Sequence, residues 1–245
     1  MSETFVLLAS HESDGEWVEI AGTKYHHLVR VRRVRVGDRL RAALPDGRVL
    51  LAEVSDISAE MLRARVTGDV PAAGVSPCRI TLFQAVLKGE KMEWVVQKAS
   101  ELGVSTLVPV STRRSIPQWT PAQATERAAR WQRIAESAAE QCERSLPLLV
   151  ATPCALSAAL ASLPATTLML HEREGRSLPD IAASHPTLPE IGLFLGPEGG
   201  WADDEVQALQ TAGVTPVHLG GRILRAETAS LAAVTLAQYL WGDLA

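Results

Sequence analysis

The fold of this chain is decided by Ile191-Gly-Leu-Phe-Leu-Gly-Pro-Glu-Gly-Gly200, an apolar run that ends in a glycine-rich loop. The run at 191–195 is typical of a strand buried on both faces of a parallel sheet. The glycines of the loop exceed what packing needs, since glycine allows positive φ and lets a ligand touch the backbone. Ligands of open α/β sheets bind at the carboxyl ends of strands. We therefore interpret 196–200 as a ligand-binding loop; the alternative is a tight strand–helix turn.

A second glycine-containing bend occurs in the same context. Leu219-Gly-Gly-Arg-Ile-Leu-Arg-Ala-Glu-Thr-Ala229 follows a predicted strand and leads into a predicted helix. Arg225 lies between apolar neighbours and a helix start and is a candidate functional cation, whereas Arg222 is interpreted as a solvated arginine. We expect the two bends to stand at the tops of neighbouring strands and to form one pocket.

The pattern around these bends predicts two domains, 1–72 and 73–245, joined by the proline- and glycine-containing linker 71–77. Short strand-like runs separated by turn signals predict a small β-barrel in the first domain. Strands that alternate with helices predict a mostly parallel sheet with helices on both faces in the second. The predicted strands are 4–9, 16–20, 39–44, 48–57, 61–66, 79–87, 107–110, 167–170, 191–195 and 216–219; the predicted helices are 24–31, 90–102, 122–142, 203–212 and 227–241.

Composition narrows the class of protein. The 245 residues are 47% hydrophobic and 21% charged, with a net charge of −4. These values exclude a disordered chain, a fibrous chain and a globally basic nucleic-acid binder. No apolar run approaches the ~20 residues that span a bilayer, so no membrane association is expected. Three cysteines without CxxC spacing argue against a disulfide framework or a metal site and favour a reducing cytoplasm.

One segment of the first domain is strongly basic. Seven Lys and Arg residues stand against one acid between Lys24 and Arg41. Phosphate backbones bind such stripes, although a solvated barrel face is the alternative. The candidate RNA-binding residues of this segment, and those that could extend it in the second domain, are Lys24, Arg30, Arg32, Arg33, Lys88, Lys91, Arg114 and Arg144.

Several common sites are absent from the sequence. It has no GxGxxG after a strand, no GxxxxGK[ST], no GxSxG and no HExxH. A nicotinamide oxidoreductase is therefore unsupported, although an α/β pattern alone would permit it.

The motifs in their order resemble the RsmE family of ribosomal RNA methyltransferases, and the likeness covers nearly the whole chain. It includes His27-Leu-Val-Arg-Val-Arg-Arg-Val-Arg-Val-Gly-Asp38, the segment from Lys88 to Val104, and Ala138-Ala-Glu-Gln141 with Arg144. The pairing of Gly196-Pro-Glu-Gly-Gly200 with Ile223-Leu-Arg-Ala-Glu-Thr-Ala229 is the specific part. Glu143 departs from the family, which has a small residue there, and this blurs the role of Arg144.

The resemblance implies an S-adenosylmethionine-dependent enzyme that methylates N3 of a uridine in 16S ribosomal RNA. It implies a PUA-like RNA-binding β-barrel followed by a trefoil-knotted α/β domain of the SPOUT class, and a cytoplasmic homodimer. Three loops would hold the cofactor. The cofactor-binding residues expected on them are Leu170, His171, Leu195, Gly196, Glu198, Gly199, Gly200, Leu219, Gly220, Ile223, Leu224 and Arg225.

The chemistry suggests catalytic candidates. Uridine N3 must lose a weakly acidic proton, and a neighbouring cation would stabilise the uracil anion. Arg225 is the first candidate for this cation, and Lys98 with Glu101 could act as an ion pair. Glu198 could contact the uracil or the methionine amino group, or could simply accept backbone N–H bonds. The alternatives are a knotted methyltransferase for another RNA and a non-catalytic RNA-binding assembly factor.

Overall fold

The computed structural model describes residues 3–72, 74–115, 119–172 and 174–244. The chain divides into two compact units, 1–75 with 139–146 and 76–138 with 147–245. Ala73, the first residue of the second predicted domain, lies outside the described residues, and the boundary at 72/73 stays a prediction. The sequence did not predict that 139–146 belongs with the first unit.

The first unit is built on one five-stranded sheet. Its strands are β1 (Glu3–Leu7), β2 (Trp17–Ala21), β3 (Arg39–Ala43), β4 (Val49–Ile57) and β5 (Met61–Val70). The strand order is β1-β3-β4-β5-β2, with β1 and β3 parallel and the other pairs antiparallel. Within the described residues the edge strands β1 and β2 do not pair, so the sheet is a half-barrel. The sequence predicted a small β-barrel, and the structure has half of one, because the ladder does not return to its first strand.

The predicted helix at 24–31 is present as two different helical turns. Helix α1 covers Gly22–His26, and a π-helical turn continues over His27–Val31. Tyr25 and Leu28 from these turns are buried in the core of the sheet. The backbone then leaves the helix through Arg33, whose φ of 59° is in the left-handed region.

The second unit contains one parallel sheet. Its strands are β6 (Arg79–Ala85), β7 (Thr106–Ser111), β8 (Leu149–Val150), β9 (Cys154–Ala155), β10 (Thr167–Leu170), β11 (Arg176–Ser177), β12 (Glu190–Leu195) and β13 (Thr215–His218). The strand order is β11-β13-β10-β12-β6-β7-β8, and β9 also pairs with β7. The sequence predicted a mostly parallel sheet, and every pairing among the described residues is parallel. The two-residue strands β8, β9 and β11 were missed, because runs this short carry no periodicity.

Hydrophobic clusters cover both faces of this sheet. Leu82 and Leu193 point to the cluster that includes the helices Lys91–Glu101 and Ala226–Trp241, whereas Phe83 and Phe194 stack 4.3 Å apart on the opposite face. This alternation explains why the strands read as continuous apolar runs. The helices are α2 (Lys91–Glu101), α3 (Pro121–Gln141), α4 (Leu156–Ala159), α5 (Leu178–Ser184), α6 (Asp203–Thr211) and α7 (Ala226–Trp241). Among the described residues, no helix combines the length and apolarity needed to cross a membrane.

Candidate functional site

Three loops of the second unit meet at the carboxyl ends of parallel strands. β10 lies between β12 and β13, so the loops that follow these strands emerge at the same edge of the sheet. They line a cavity of about 410 Å³. The two glycine bends predicted from the sequence therefore share one cavity, although their strands flank β10 and are not direct neighbours.

The cavity contains almost all of the residues expected to bind a cofactor. Gly220 is the exception, because it does not line the cavity. Its positive φ of 97° allows the chain to turn after β13. The expected residues that do line it are Leu170, His171, Leu195, Gly196, Glu198, Gly199, Gly200, Leu219, Ile223, Leu224 and Arg225. The lining residues that sequence reasoning did not assign to a cofactor are Lys91, Arg114, Glu172, Pro197, Trp201, Arg222, Ala226 and Ala229.

Trp201 fixes the shape of the glycine loop. Its indole Nε1 donates a hydrogen bond to the Leu170 carbonyl oxygen at 3.1 Å, which ties the loop after β12 to the end of β10. A Cβ on Gly196 would lie 3.1 Å from the same indole nitrogen. A side chain at position 196 would therefore crowd Trp201, a tertiary contact that the sequence alone does not reveal.

Arg114 also belongs to this loop. Its Nη1 donates to the Gly199 carbonyl oxygen at 2.8 Å, and a Cβ on Gly199 would lie 3.3 Å from Arg114 Cβ. From the sequence, Arg114 was expected on an RNA-binding surface. The structure places it against the loop that lines the cavity.

Lys91 connects two of the loops. Its Nζ lies 3.3 Å from Glu198 Oε1, after β12, and 3.5 Å from Glu227 Oε2, at the start of α7. Burial raises the pKa of Glu198, but its own backbone N–H, the Lys88 N–H and Lys91 outweigh burial and lower the pKa below its usual range. Glu198 is therefore ionised at neutral pH. Lys91, expected to bind RNA, instead forms ion pairs at the rim of the cavity.

Two of the catalytic candidates lie away from the cavity. Lys98 and Glu101 pair with each other at 2.8 Å near the end of α2, and neither lines the cavity. Lys98 is seven residues beyond Lys91, or about 10 Å along a helix that rises 1.5 Å per residue. They form an ion pair on α2 outside the lining of the cavity, and their catalytic role stays a prediction. Arg225 itself is exposed, lines the cavity and directly precedes α7.

Part of the basic segment of the first unit is exposed. Arg30, Arg32 and Arg33 are exposed, as is Lys88 of the second unit. Lys24 instead pairs with Glu12 at 2.6 Å and donates to the Leu7 carbonyl.

Arg144, expected as an RNA contact, is only 7% exposed. Its burial leaves little of the side chain on the surface, in the segment 139–146 that belongs to the first unit, and an RNA contact by Arg144 stays a prediction. Within the described part of the chain, no group of three or more His, Cys, Asp and Glu side chains could hold a metal ion.

Comparisons with known proteins agree with this geometry. Residues 75–238 match the RNA methyltransferase domain family, and residues 20–66 match the RNA methyltransferase PUA domain family. The ribosomal RNA small subunit methyltransferase E of Synechocystis is 33% identical over 89% of this chain and 71% of the relative. That of Mycobacterium bovis is 31% identical over 88% and 83%.

A solved structure matches over the full length. It is a ribosomal RNA small subunit methyltransferase E from Neisseria gonorrhoeae bound to S-adenosyl methionine. Its sequence is 34% identical, the TM-score is 0.90, and the match covers 100% of both chains.

Proposed function

Because this chain belongs to the ribosomal RNA small subunit methyltransferase E family, we propose that it transfers the methyl group of S-adenosylmethionine to N3 of a uridine in 16S ribosomal RNA. The observation that carries this proposal is the cavity of about 410 Å³ shared by the loops after β10, β12 and β13. It stands at the carboxyl edge of a parallel sheet, where such folds bind nucleotide-like ligands.

The residues of the cavity fit S-adenosylmethionine. Its volume is within the range of small-molecule sites, and it combines apolar side chains with exposed backbone at the bends. Leu170, Leu195, Leu219 and Leu224 suit the adenine ring and the thioether carbons, while glycine carbonyl and N–H groups suit the polar edges. The relative from Neisseria gonorrhoeae, whose structure contains this cofactor, supports the assignment. When bound, S-adenosylmethionine supplies an electrophilic methyl group on a sulfonium.

Arg225 would act on the uracil. Uridine N3 becomes nucleophilic only when it loses its proton, and a guanidinium beside the ring stabilises the anion and lowers its pKa. Arg225 lines the cavity, and within the described residues it makes no ion pair that would neutralise it.

The first unit would bind RNA. Its match to the PUA domain family and its exposed Arg30, Arg32 and Arg33 support this role. A uridine stacked in a helix cannot enter a cavity, so the target base would be splayed out of its strand.

The finer architecture is also part of the proposal. We infer a trefoil knot around the loops after β12 and β13, a homodimer, and a cytoplasmic location. The strand order, with β10 between β12 and β13, supports the knot. Trp94, Leu236 and Tyr239 are exposed apolar residues on the contacting helices α2 and α7, and they support pairing with a second copy.

One experiment tests the function directly. The protein would be incubated with S-adenosylmethionine and small ribosomal subunits or 16S RNA that lack the modification, and the nucleosides would be separated by mass spectrometry. We expect 3-methyluridine. Another methylated nucleoside, or methylation of transfer RNA alone, would replace this activity with that of a different methyltransferase.

The same assay tests Arg225. Arg225→Ala should lower the methylation rate at least tenfold while the affinity for S-adenosylmethionine, measured by calorimetry, stays within tenfold. Near-normal turnover in the variant would remove Arg225 from the mechanism. Cofactor binding without any methyl transfer by the wild-type protein would indicate an RNA-binding assembly factor.

A further inference from the structure

The described residues that line the cavity carry more positive charge than the binding of S-adenosylmethionine requires. Four basic side chains line it, Lys91, Arg114, Arg222 and Arg225, against the carboxylates of Glu172 and Glu198. S-adenosylmethionine carries a sulfonium and an ammonium against one carboxylate, so it is itself a cation. A cavity with excess positive charge is complementary to a second, anionic ligand.

The four cations differ in what they contact. Lys91 is neutralised by Glu198 and Glu227, and Arg114 donates to the Gly199 carbonyl. Among the residues that the structure describes, Arg222 and Arg225 form no ion pair, and both are exposed. The uncompensated charge of the cavity is therefore concentrated on these two arginines.

Their positions on the chain differ. Arg222 follows Gly220 and Gly221, and a Cβ built on either glycine would meet no atom within 4 Å. The bend therefore runs through open space, and the next residue, Ile223, is 58% exposed. Arg225 instead directly precedes α7, whose Ala226 and Ala229 also line the cavity. Arg222 thus lies at the outer rim of the cavity, whereas Arg225 lies next to the side of the cavity that α7 forms.

We propose that Arg222 is a phosphate-binding residue that holds the RNA backbone next to the uridine that enters the cavity. This inference rests on the proposed function and corrects the interpretation of Arg222 as a merely solvated arginine. A guanidinium is suited to the role because it presents several donors in a fork that matches two phosphate oxygens. The two arginines would then contact different parts of one RNA substrate: Arg225 would contact the base, and Arg222 would contact the backbone.

The test uses an RNA oligonucleotide that contains the uridine methylated by the wild-type protein. Its affinity would be measured between 50 and 200 mM KCl, together with the affinity for S-adenosylmethionine, for wild type, Arg222→Gln and Arg222→Lys. Arg79→Gln is a matched control, because Arg79 is an exposed arginine at the amino end of β6, whereas the cavity lies at the carboxyl edge of the sheet. Loss of one phosphate contact should lower the slope of log K against log salt by roughly 0.7 to 0.9.

We expect that slope change for Arg222→Gln only, with weaker RNA binding and cofactor affinity within about twofold of wild type. Arg222→Lys should keep the slope. A neutral methylphosphonate at one linkage beside the uridine should weaken binding to wild type and have no further effect on Arg222→Gln.

Two results would overturn the inference. An unchanged slope in Arg222→Gln would remove the phosphate contact, and an equal loss of cofactor affinity would make Arg222 part of the cofactor site. Absence of methyl transfer by the wild-type protein would overturn the proposed function as well. Normal transfer with an unchanged slope would overturn this inference alone.

Discussion

The hydroxyl of Ser230 lies 2.6 Å from Oε1 of Gln84, and both side chains are fully buried. This hydrogen bond joins α7 to β6, one turn after Ala226 and directly after Ala229, the two residues of α7 that line the cavity. Because the amide Nε2 of Gln84 also donates to the Ala85 carbonyl, both ends of the buried amide are satisfied. The pair therefore fixes where the start of α7 stands on the sheet.

Ser230→Ala should lower the free energy of unfolding by about 1–3 kcal/mol, because it leaves a buried amide oxygen without a donor. Denaturant unfolding monitored by circular dichroism measures the change. Ser157→Ala, which removes a hydroxyl from α4, is a comparison at another helix. A change below about 0.5 kcal/mol for Ser230→Ala would show that the pair does not contribute to stability.

Lys91→Met should weaken cofactor binding about tenfold, because Glu198 and Glu227 lose their common cation and the two loops lose their connection. The effect on global stability should stay below about 1 kcal/mol, since the ion pairs are partly exposed. Lys91→Arg keeps the charge and should restore most of the affinity measured by calorimetry. If Lys91→Met binds the cofactor normally but loses RNA affinity, the original assignment of Lys91 to RNA is correct.

Gly199→Val should reduce cofactor affinity through Arg114. The new Cβ would contact the Arg114 side chain at 3.3–3.4 Å, and the added methyl groups would displace its hydrogen bond to the loop. Adding Arg114→Ala to Gly199→Val removes the neighbouring side chain and should recover part of the affinity. A double variant as weak as Gly199→Val would show instead that the valine blocks the cofactor directly.

Glu198 should make a pH-dependent contribution to stability. Its pKa is lowered in the folded protein, so its contribution is complete above its ordinary pKa and disappears as the pH falls through the lowered value. The difference in unfolding free energy between wild type and Glu198→Gln should therefore be constant above about pH 5 and shrink in more acidic solution. A difference that grows on acidification would contradict the direction of the pKa shift.

Charge reversal of Arg32 and Arg33 to Glu should weaken RNA binding, and the loss should diminish as salt rises. Arg33→Gly offers a matched variant, because glycine relieves the left-handed φ of 59° while it removes the same charge. We expect lower RNA affinity without lower stability. A loss of RNA affinity that is independent of salt would indicate that the charge-reversal variants are misfolded.

Arg144→Ala should have the opposite effect, because Arg144 is buried. Its thermal stability should fall, and the salt dependence of its RNA binding should be unchanged.

The sequence alone was sufficient to predict those structural features that depend on residues close to one another along the chain. Strands such as β6, β12 and β13, and helices α2, α3, α6 and α7, were predicted within a few residues, because hydrophobic periodicity and turn residues are local signals. The bends at Gly196–Gly200 and Leu219–Arg225 were recognised for the same reason. The carboxyl ends of parallel strands lie at one edge of the sheet, so the position of the cavity could be predicted from local sequence patterns.

Only the tertiary structure decided which distant side chains reach that cavity. Lys91 and Arg114 were expected to bind RNA, yet ion pairing and a backbone hydrogen bond hold them at its loops. Arg144 is buried, in a segment that belongs to the first unit, and the half-barrel is open because β1 and β2 do not pair in the part of the chain that the structure describes. Charge in a sequence does not distinguish a solvated cation from a paired one. That distinction depends on the distance to partners that are far away along the chain, and only the folded backbone sets this distance.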